Sequence, residues 1–122
     1  MQHNMTINFD QLDEATKKKI QDLNTLSQNL EFLTQQRIQI DNSMREADLA
    51  IEELEKTAED TLVYKSIGGI MVKSERNRLL DEKKSLKKTL EMRSKTIIQK
   101  IERTKTTIET MQKSLQNDLQ LT

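Results

Sequence analysis

The sequence has no cysteine, no proline and no tryptophan among its 122 residues, and it has only two glycines, one tyrosine and two phenylalanines. Without cysteine there is no disulfide framework and no thiol chemistry. Without proline, and with so little glycine, little in the chain would interrupt a long helix. Because 34% of the residues are hydrophobic and 33% are charged, the chain suits long helices that bury a narrow stripe better than a compact core.

Long hydrophobic runs are also missing, since none approaches the roughly 20 residues that cross a membrane. The first nine residues, MQHNMTINF, have neither the basic segment nor the apolar segment of a signal peptide. We therefore expect a soluble, cytoplasmic protein that contacts no membrane. The high polarity would also fit a disordered chain, but the sustained apolar periodicity described below argues against disorder.

Catalytic patterns are absent from the sequence. His3 is the only histidine, so a Ser/His pair with a positioned base or a histidine-rich metal site is excluded. The Gly68-Gly69 pair has no phosphate-loop or dinucleotide pattern around it. The lysine pairs 83–84 and 87–88 are of a kind found in nucleic-acid binding, but no aromatic residue accompanies them. We expect no enzyme, no cofactor, no metal and no nucleic-acid partner.

Apolar residues recur at alternating spacings of three and four in the first half of the chain. From Leu23 to Ala58, ten of eleven such positions are apolar and Arg37 is the exception, a pattern typical of a coiled coil. We predict a helix over about 10–59 that is capped at Asp10. A weaker stripe predicts a second helix over about 75–119, with Ser74 as its cap.

Residues 61–73, TLVYKSIGGIMVK, separate the two helices and contain both glycines, both valines and the only tyrosine. Apolar and polar residues alternate here with the period of a strand, and Gly-Gly permits the positive φ angles of a type I′ turn. A β-hairpin is predicted, and an ordinary loop is the alternative. A turn at the glycines puts one apolar set on the same face: Val63, Ile67, Ile70 and Val72.

The predicted fold is therefore mainly α: one domain over 1–122, in which a long antiparallel coiled-coil hairpin of helices carries a short β-hairpin at its bend. Charge supports the pairing of the helices, because residues 1–60 carry a net charge of −7 and residues 74–122 a net charge of +5. An isolated two-stranded hairpin is marginal in water, and its bare edges invite further strands. We infer an oligomer in which the hairpins of several subunits pair.

Apolar residues also collect near both ends of the sequence, which the helical hairpin would bring together. Exposed apolar side chains there could bind hydrophobic surface of other proteins, or they could simply complete the coiled-coil seam. The candidate binding residues are Ile7, Phe9, Leu12, Leu115, Leu119 and Leu121.

In this setting the linker segment resembles that of the β-class subunits of prefoldin, through Val63, Tyr64, Lys65, Gly68, Val72 and Lys73. The resemblance implies a hexamer of two α-class and four β-class subunits, with hairpins that assemble into a barrel. It implies an ATP-independent holdase that binds unfolded polypeptide at the coiled-coil tips and passes it to a group II chaperonin. The assembly residues would be Val63, Tyr64, Ile67, Gly68, Gly69, Ile70 and Val72.

A structural coiled-coil adaptor or tether with a fixed protein partner is the alternative function. Heptads alone fit both functions equally well. The strand insert favours the chaperone subunit, because a tether does not need it.

Overall fold

The structure, a computed structural model, describes residues 9–119. A short 3₁₀ turn, Phe9–Gln11, precedes helix α1, Glu14–Glu55; strands β1, Leu62–Ile67, and β2, Ile70–Glu75, follow; helix α2, Arg76–Asp118, comes last. The predicted fold class of two long helices with an antiparallel β-hairpin between them is confirmed. No helix within the described part of the chain is long and apolar enough to cross a membrane.

The chain divides into two compact units. One, the terminal unit, consists of Met1–Thr34 and Lys100–Thr122; the other, the hairpin unit, is Gln35–Gln99 and contains both strands. The single domain over 1–122 stays a prediction.

Asp13, not Asp10, caps the start of α1. Its carboxylate oxygen Oδ1 accepts a hydrogen bond from the backbone N–H of Thr16 at 2.7 Å, which satisfies one of the free amides of the first helical turn. Phe9 to Gln11 instead form the 3₁₀ turn, closed by the N–H of Leu12 on the carbonyl of Phe9 at 3.2 Å. The predicted start at residue 10 was therefore wrong by one turn.

Helix α1 ends at Glu55, four residues before the predicted end. The N–H of Thr57 bonds the carbonyl of Leu54 at 3.1 Å, which tightens the last turn. The guanidinium of Arg76 reaches the same carbonyl at 2.8 Å. With its last carbonyls taken in this way, the helix stops although no glycine or proline is present.

The β-hairpin has the predicted turn, but β2 extends two residues beyond the predicted end at Lys73. Ile67 pairs with Ile70 across the turn, and Gly68 and Gly69 have φ angles of 54° and 84°, as a two-residue type I′ turn requires. Because the strands match in length, Ser74 pairs with Val63 and lies in β2. The prediction of Ser74 as a helix cap was wrong, and α2 begins at Arg76.

The core of the hairpin unit lies where the strands meet the helices. Leu54 of α1 packs with Leu79 and Leu80 of α2, and Ile51 and Val63 close over them half-buried. Elsewhere in the hairpin unit, the buried residues of the two helices are Ala47, Leu90 and Ile97. In the terminal unit, the buried residues are Thr16 and Ile101. No side chain among residues 9–119 is less than 2% exposed, which is the thin core expected of a narrow apolar stripe.

Candidate assembly surface and client-binding end

The register of the hairpin sorts its side chains onto two faces. The first face carries Val63, Lys65, Ile67, Ile70, Val72 and Ser74, and the second carries Leu62, Tyr64, Ser66, Met71, Lys73 and Glu75. The four apolar residues that the sequence placed together do lie on one face.

The first face has two different ends. Val63 turns toward the helices and covers the Leu54–Leu79–Leu80 cluster. Near the turn, Ile67, Ile70 and Val72 stay between 40% and 65% exposed. The hairpin therefore rests on its own helices at the Val63 end and offers uncovered apolar surface at the turn end.

The second face also carries exposed apolar residues, of which the sequence analysis named only Tyr64, through the family resemblance. Leu62, Tyr64 and Met71 are 48%, 53% and 66% exposed, and the pairing of Tyr64 with Lys73 and of Ser66 with Met71 places them side by side. The same period-two pattern that placed the first face could have found Leu62 and Met71. This two-stranded sheet therefore leaves apolar side chains uncovered on both of its faces.

Both edges of the sheet lack a partner strand within residues 9–119, since β1 pairs only with β2. Each outer edge therefore presents backbone N–H and C=O groups to a further strand. The space around both glycines of the turn is open, because a Cβ atom at Gly68 or Gly69 would meet nothing within 4 Å.

An ion pair ties β1 to α2. Lys65 Nζ donates to Glu82 Oε2 at 2.8 Å, and Arg78 Nε lies 3.8 Å from the other oxygen of the same carboxylate. The hydrogen bond from Lys65 is the main cause that lowers the pKa of Glu82. Sequence reasoning used Lys65 only as part of the linker motif and missed this contact.

The predicted charge match between the helices is present at two points in the hairpin unit. Lys87 Nζ lies 2.7 Å from Asp48 Oδ1, and this hydrogen bond raises the pKa of Lys87. Lys84 lies 3.7 Å from Glu55. From Lys87 to Lys84 the position moves toward the start of α2, while the partner moves from Asp48 to Glu55, toward the end of α1. The two helical segments are therefore antiparallel. Lys56, which follows α1, pairs instead with Glu52 and Glu53 of α1.

The terminal unit holds the described candidates for client binding. Phe9 is exposed and its ring centroid lies 5.7 Å from Lys17 Nζ. Leu12, Leu115 and Leu119 are half-buried. Ile7 and Leu121 lie outside the described residues.

A shallow groove of about 430 Å³ runs beside the last turns of α2. Its lining is Glu109, Gln112, Lys113, Leu115, Gln116 and Leu119. Leu115 and Leu119 are thus partly open to this groove instead of being sealed in the seam. The mixture of apolar and amide side chains can contact both the side chains and the backbone of an extended peptide.

Lys19 occupies the position four residues before Leu23, where the apolar spacing would continue toward the start of the chain. It joins the two helical segments of the terminal unit. Its ammonium group donates to Ser114 Oγ at 2.8 Å and also to a carboxylate oxygen of Asp118. The polar interruption is therefore satisfied within the pair of helices. Among the residues that the structure describes, no group of three or more histidine, cysteine or acidic side chains could hold a metal ion.

Comparison with known proteins gives a consistent result. The family described as prefoldin subunit matches residues 17–121. The prefoldin subunit beta of Archaeoglobus fulgidus is 32% identical over 107 residues, which are 88% of this chain and 92% of that protein. The prefoldin subunit beta of Methanothrix thermoacetophila is 31% identical over 109 residues, which are 89% of this chain and 91% of that protein.

A solved structure shares the fold. The crystal structure of the prefoldin beta subunit from Thermococcus strain KS-1 superposes with a TM-score of 0.78 at 23% identity, and the match covers 88% of this chain and 95% of that one.

Proposed function

Since this chain belongs to the prefoldin subunit family, we propose that it is a β-class chaperone subunit that assembles through its β-hairpin and holds unfolded polypeptide at its terminal unit. A role in protein folding and assembly with other prefoldin subunits come with the family. The proposal adds α-class partner subunits, a hexamer, binding of clients without ATP, and transfer to a group II chaperonin. A cytoplasmic location stays a prediction.

The observation that supports assembly through the hairpin is its incomplete covering. Ile67, Ile70 and Val72 on one face, and Tyr64 and Met71 on the other, leave apolar area in water. At about 25 cal/mol per Å² of buried apolar surface, covering these side chains with further strands would stabilise an oligomer. The free edges supply the backbone hydrogen bonds for such strands.

Replacing Ile67 and Ile70 together by lysine should dissociate the oligomer, because two charges would enter a surface that assembly must desolvate. Light scattering of the chain mixed with an α-class subunit measures the mass, and circular dichroism should show nearly unchanged helicity. The matched control is Ile38→Lys with Leu49→Lys, two aliphatic residues of α1 with 48% and 58% exposure. An unchanged mass for the hairpin variant would refute assembly through this surface.

Client binding is assigned to the terminal unit because apolar side chains stay accessible there. Phe9 is exposed, and Leu115 and Leu119 open to the groove along α2. Charges of both signs lie close by: Lys17, which pairs with Glu14, is near the Phe9 ring, and Glu109 and Lys113 line the groove. Unfolded chains expose apolar residues of varied sequence, so a shallow apolar surface without a deep pocket fits a broad range of clients.

Deletion of residues 1–12 and 116–122 should impair the suppression of aggregation of an unfolded client and leave assembly intact. A finer test replaces Phe9 by serine, for which Phe32→Ser is the control, since Phe32 is even more exposed, at 63%, and belongs to the same unit. Only the Phe9 change should weaken holding. Full holding activity in the truncated protein would show that the client site lies elsewhere in the chain. Binding of the truncated protein to one fixed protein partner would favour the alternative function of a structural tether.

A further inference from the structure

Arg76, the first residue of α2, uses its whole guanidinium group where the helices meet the hairpin. Nε donates to the carbonyl oxygen of Leu54 at 2.8 Å, and Nη2 donates to that of Glu55 at 3.3 Å. Nη1 donates to the side-chain oxygen of Asn77 at 2.8 Å. The planar fork of arginine matches two successive carbonyls, which the single ammonium group of lysine does not.

These bonds complete a local cap at the end of α1. The N–H groups of Lys56 and Thr57 bond the carbonyls of Glu52 and Leu54, the Thr57 hydroxyl donates to the carbonyl of Glu53, and Arg76 adds a second bond to Leu54 and a bond to Glu55. The last four carbonyls of a helix have no partner within it, and the last turn of α1 contains no basic residue. Lys56, the next residue, turns back to Glu52, and no glycine follows to form a left-handed cap. A cation from α2 therefore occupies the negative end of the α1 dipole.

The position of Arg76 in the chain gives this cap a second consequence. Arg76 directly follows β2, so fixing its side chain on α1 also fixes the point at which the hairpin leaves α2. Two other contacts hold the hairpin from the β1 side, the Lys65–Glu82 ion pair and the packing of Val63 on the core cluster. Of these ties, only Arg76 reaches the backbone of α1.

We propose that Arg76 is a positioning residue for assembly: its clamp on the Leu54 and Glu55 carbonyls sets the direction in which the β-hairpin leaves the helices, and so the angle at which its edges meet the strands of another subunit. This role of Arg76 rests on the proposed function of the hairpin as the assembly element. Without the Arg76 clamp, the hairpin still forms through its own register and turn, but it samples several directions and pairs less readily with another subunit.

The first test compares Arg76→Met and Arg76→Lys with the control Arg45→Met. Arg45 is exposed in the same unit and its guanidinium bonds only Asn42 of its own helix. The concentration for half-assembly with an α-class subunit should rise about tenfold for Arg76→Met, the scale of one charge-assisted hydrogen bond. Arg76→Lys should recover part of this loss, and Arg45→Met should behave as the unaltered chain. An unchanged half-assembly concentration for Arg76→Met would overturn the proposal.

The second test follows the direction of the hairpin itself. The chain has no cysteine, so spin labels at Ser66→Cys and Lys88→Cys report one distance within the hairpin unit when labelled chain is diluted into unlabelled chain. Arg76→Met should broaden this distance distribution, and Arg45→Met should leave it narrow. A distribution that Arg76→Met leaves unchanged overturns the clamp, even if the Ile67 and Ile70 variant has already confirmed the hairpin as the assembly element.

Discussion

Asp13 connects charge to helix formation at the scale of a single side chain. Its carboxylate accepts hydrogen bonds from the side chain and the backbone of Thr16, and these bonds lower the pKa of Asp13. The carboxylate also lies at the positive end of the α1 dipole, where a negative charge is favoured. Thr16 is in turn the one buried polar residue among residues 9–119, at 4% exposure, so the cap fixes a buried residue of the first turn of α1.

This cap should make stability depend on pH in acid. A carboxyl whose pKa is lowered by folding adds its full contribution to the free energy of unfolding at pH values above its pKa in the unfolded chain. This contribution is lost as the pH falls through its pKa in the folded chain. Asn at position 13 keeps an acceptor and does not titrate. The melting temperature of the unaltered chain should therefore fall toward that of Asp13→Asn between about pH 5 and pH 2.

Thermal melts followed by circular dichroism over that pH range measure the difference. Asp81→Asn, on an exposed turn of α2, controls for the change in net charge. A difference between the unaltered chain and Asp13→Asn that stays constant down to the lowest pH would contradict the assigned cap.

Residue-level chemistry also shows which features a sequence can reveal. The Gly68-Gly69 turn was predictable because few residues other than glycine tolerate two successive positive φ angles. The choice between Asp10 and Asp13 was not, because both precede a suitable first turn. The local turn at Phe9–Gln11 decides between them, and the heptad pattern does not contain that information.

At the scale of elements, the contact between hairpin and helices holds half of the hairpin unit's buried hydrophobic residues, in the cluster of Leu54, Leu79 and Leu80. The apolar stripes of the two helices include Leu54, Leu79, Leu90 and Ile97, which are all buried. They also include Leu86, which is 42% exposed. They miss Leu80, which lies off the seam. Leu80 is buried because Val63 and the strands cover that side of α2, a consequence of tertiary packing that helix periodicity alone does not encode.

Truncation of Leu79 to alanine should cost about 2 kcal/mol in free energy of unfolding, the lower end for a buried leucine, since the cluster is only one layer deep. Ile38→Ala, at a residue that is 48% exposed, should cost less than about 0.5 kcal/mol. Urea denaturation at a fixed protein concentration measures both values, because assembly makes stability concentration-dependent. Equal losses in the two variants would show that the cluster is not the centre of the hairpin unit's stability.

At the scale of the whole molecule, only a few residues among 9–119 are buried, and none is less than 2% exposed. The exposed apolar residues on both faces of the hairpin point the same way. The chain reaches its working state in contact with other subunits. The sequence predicted this need from the lack of further strands, and the linker motif indicated the family. The proposed client-binding residues stay a prediction, because terminal apolar residues fit both a seam and a binding surface.

The most direct test of the account is the mass of the chain alone and in the presence of an α-class prefoldin subunit, measured by light scattering across a range of concentrations. We expect a defined hexamer with two α-class subunits and four copies of this chain, formed only in the mixture and lost when Ile67 and Ile70 are replaced by lysine. A chain that stays the same size with and without the partner would contradict assembly through the hairpin.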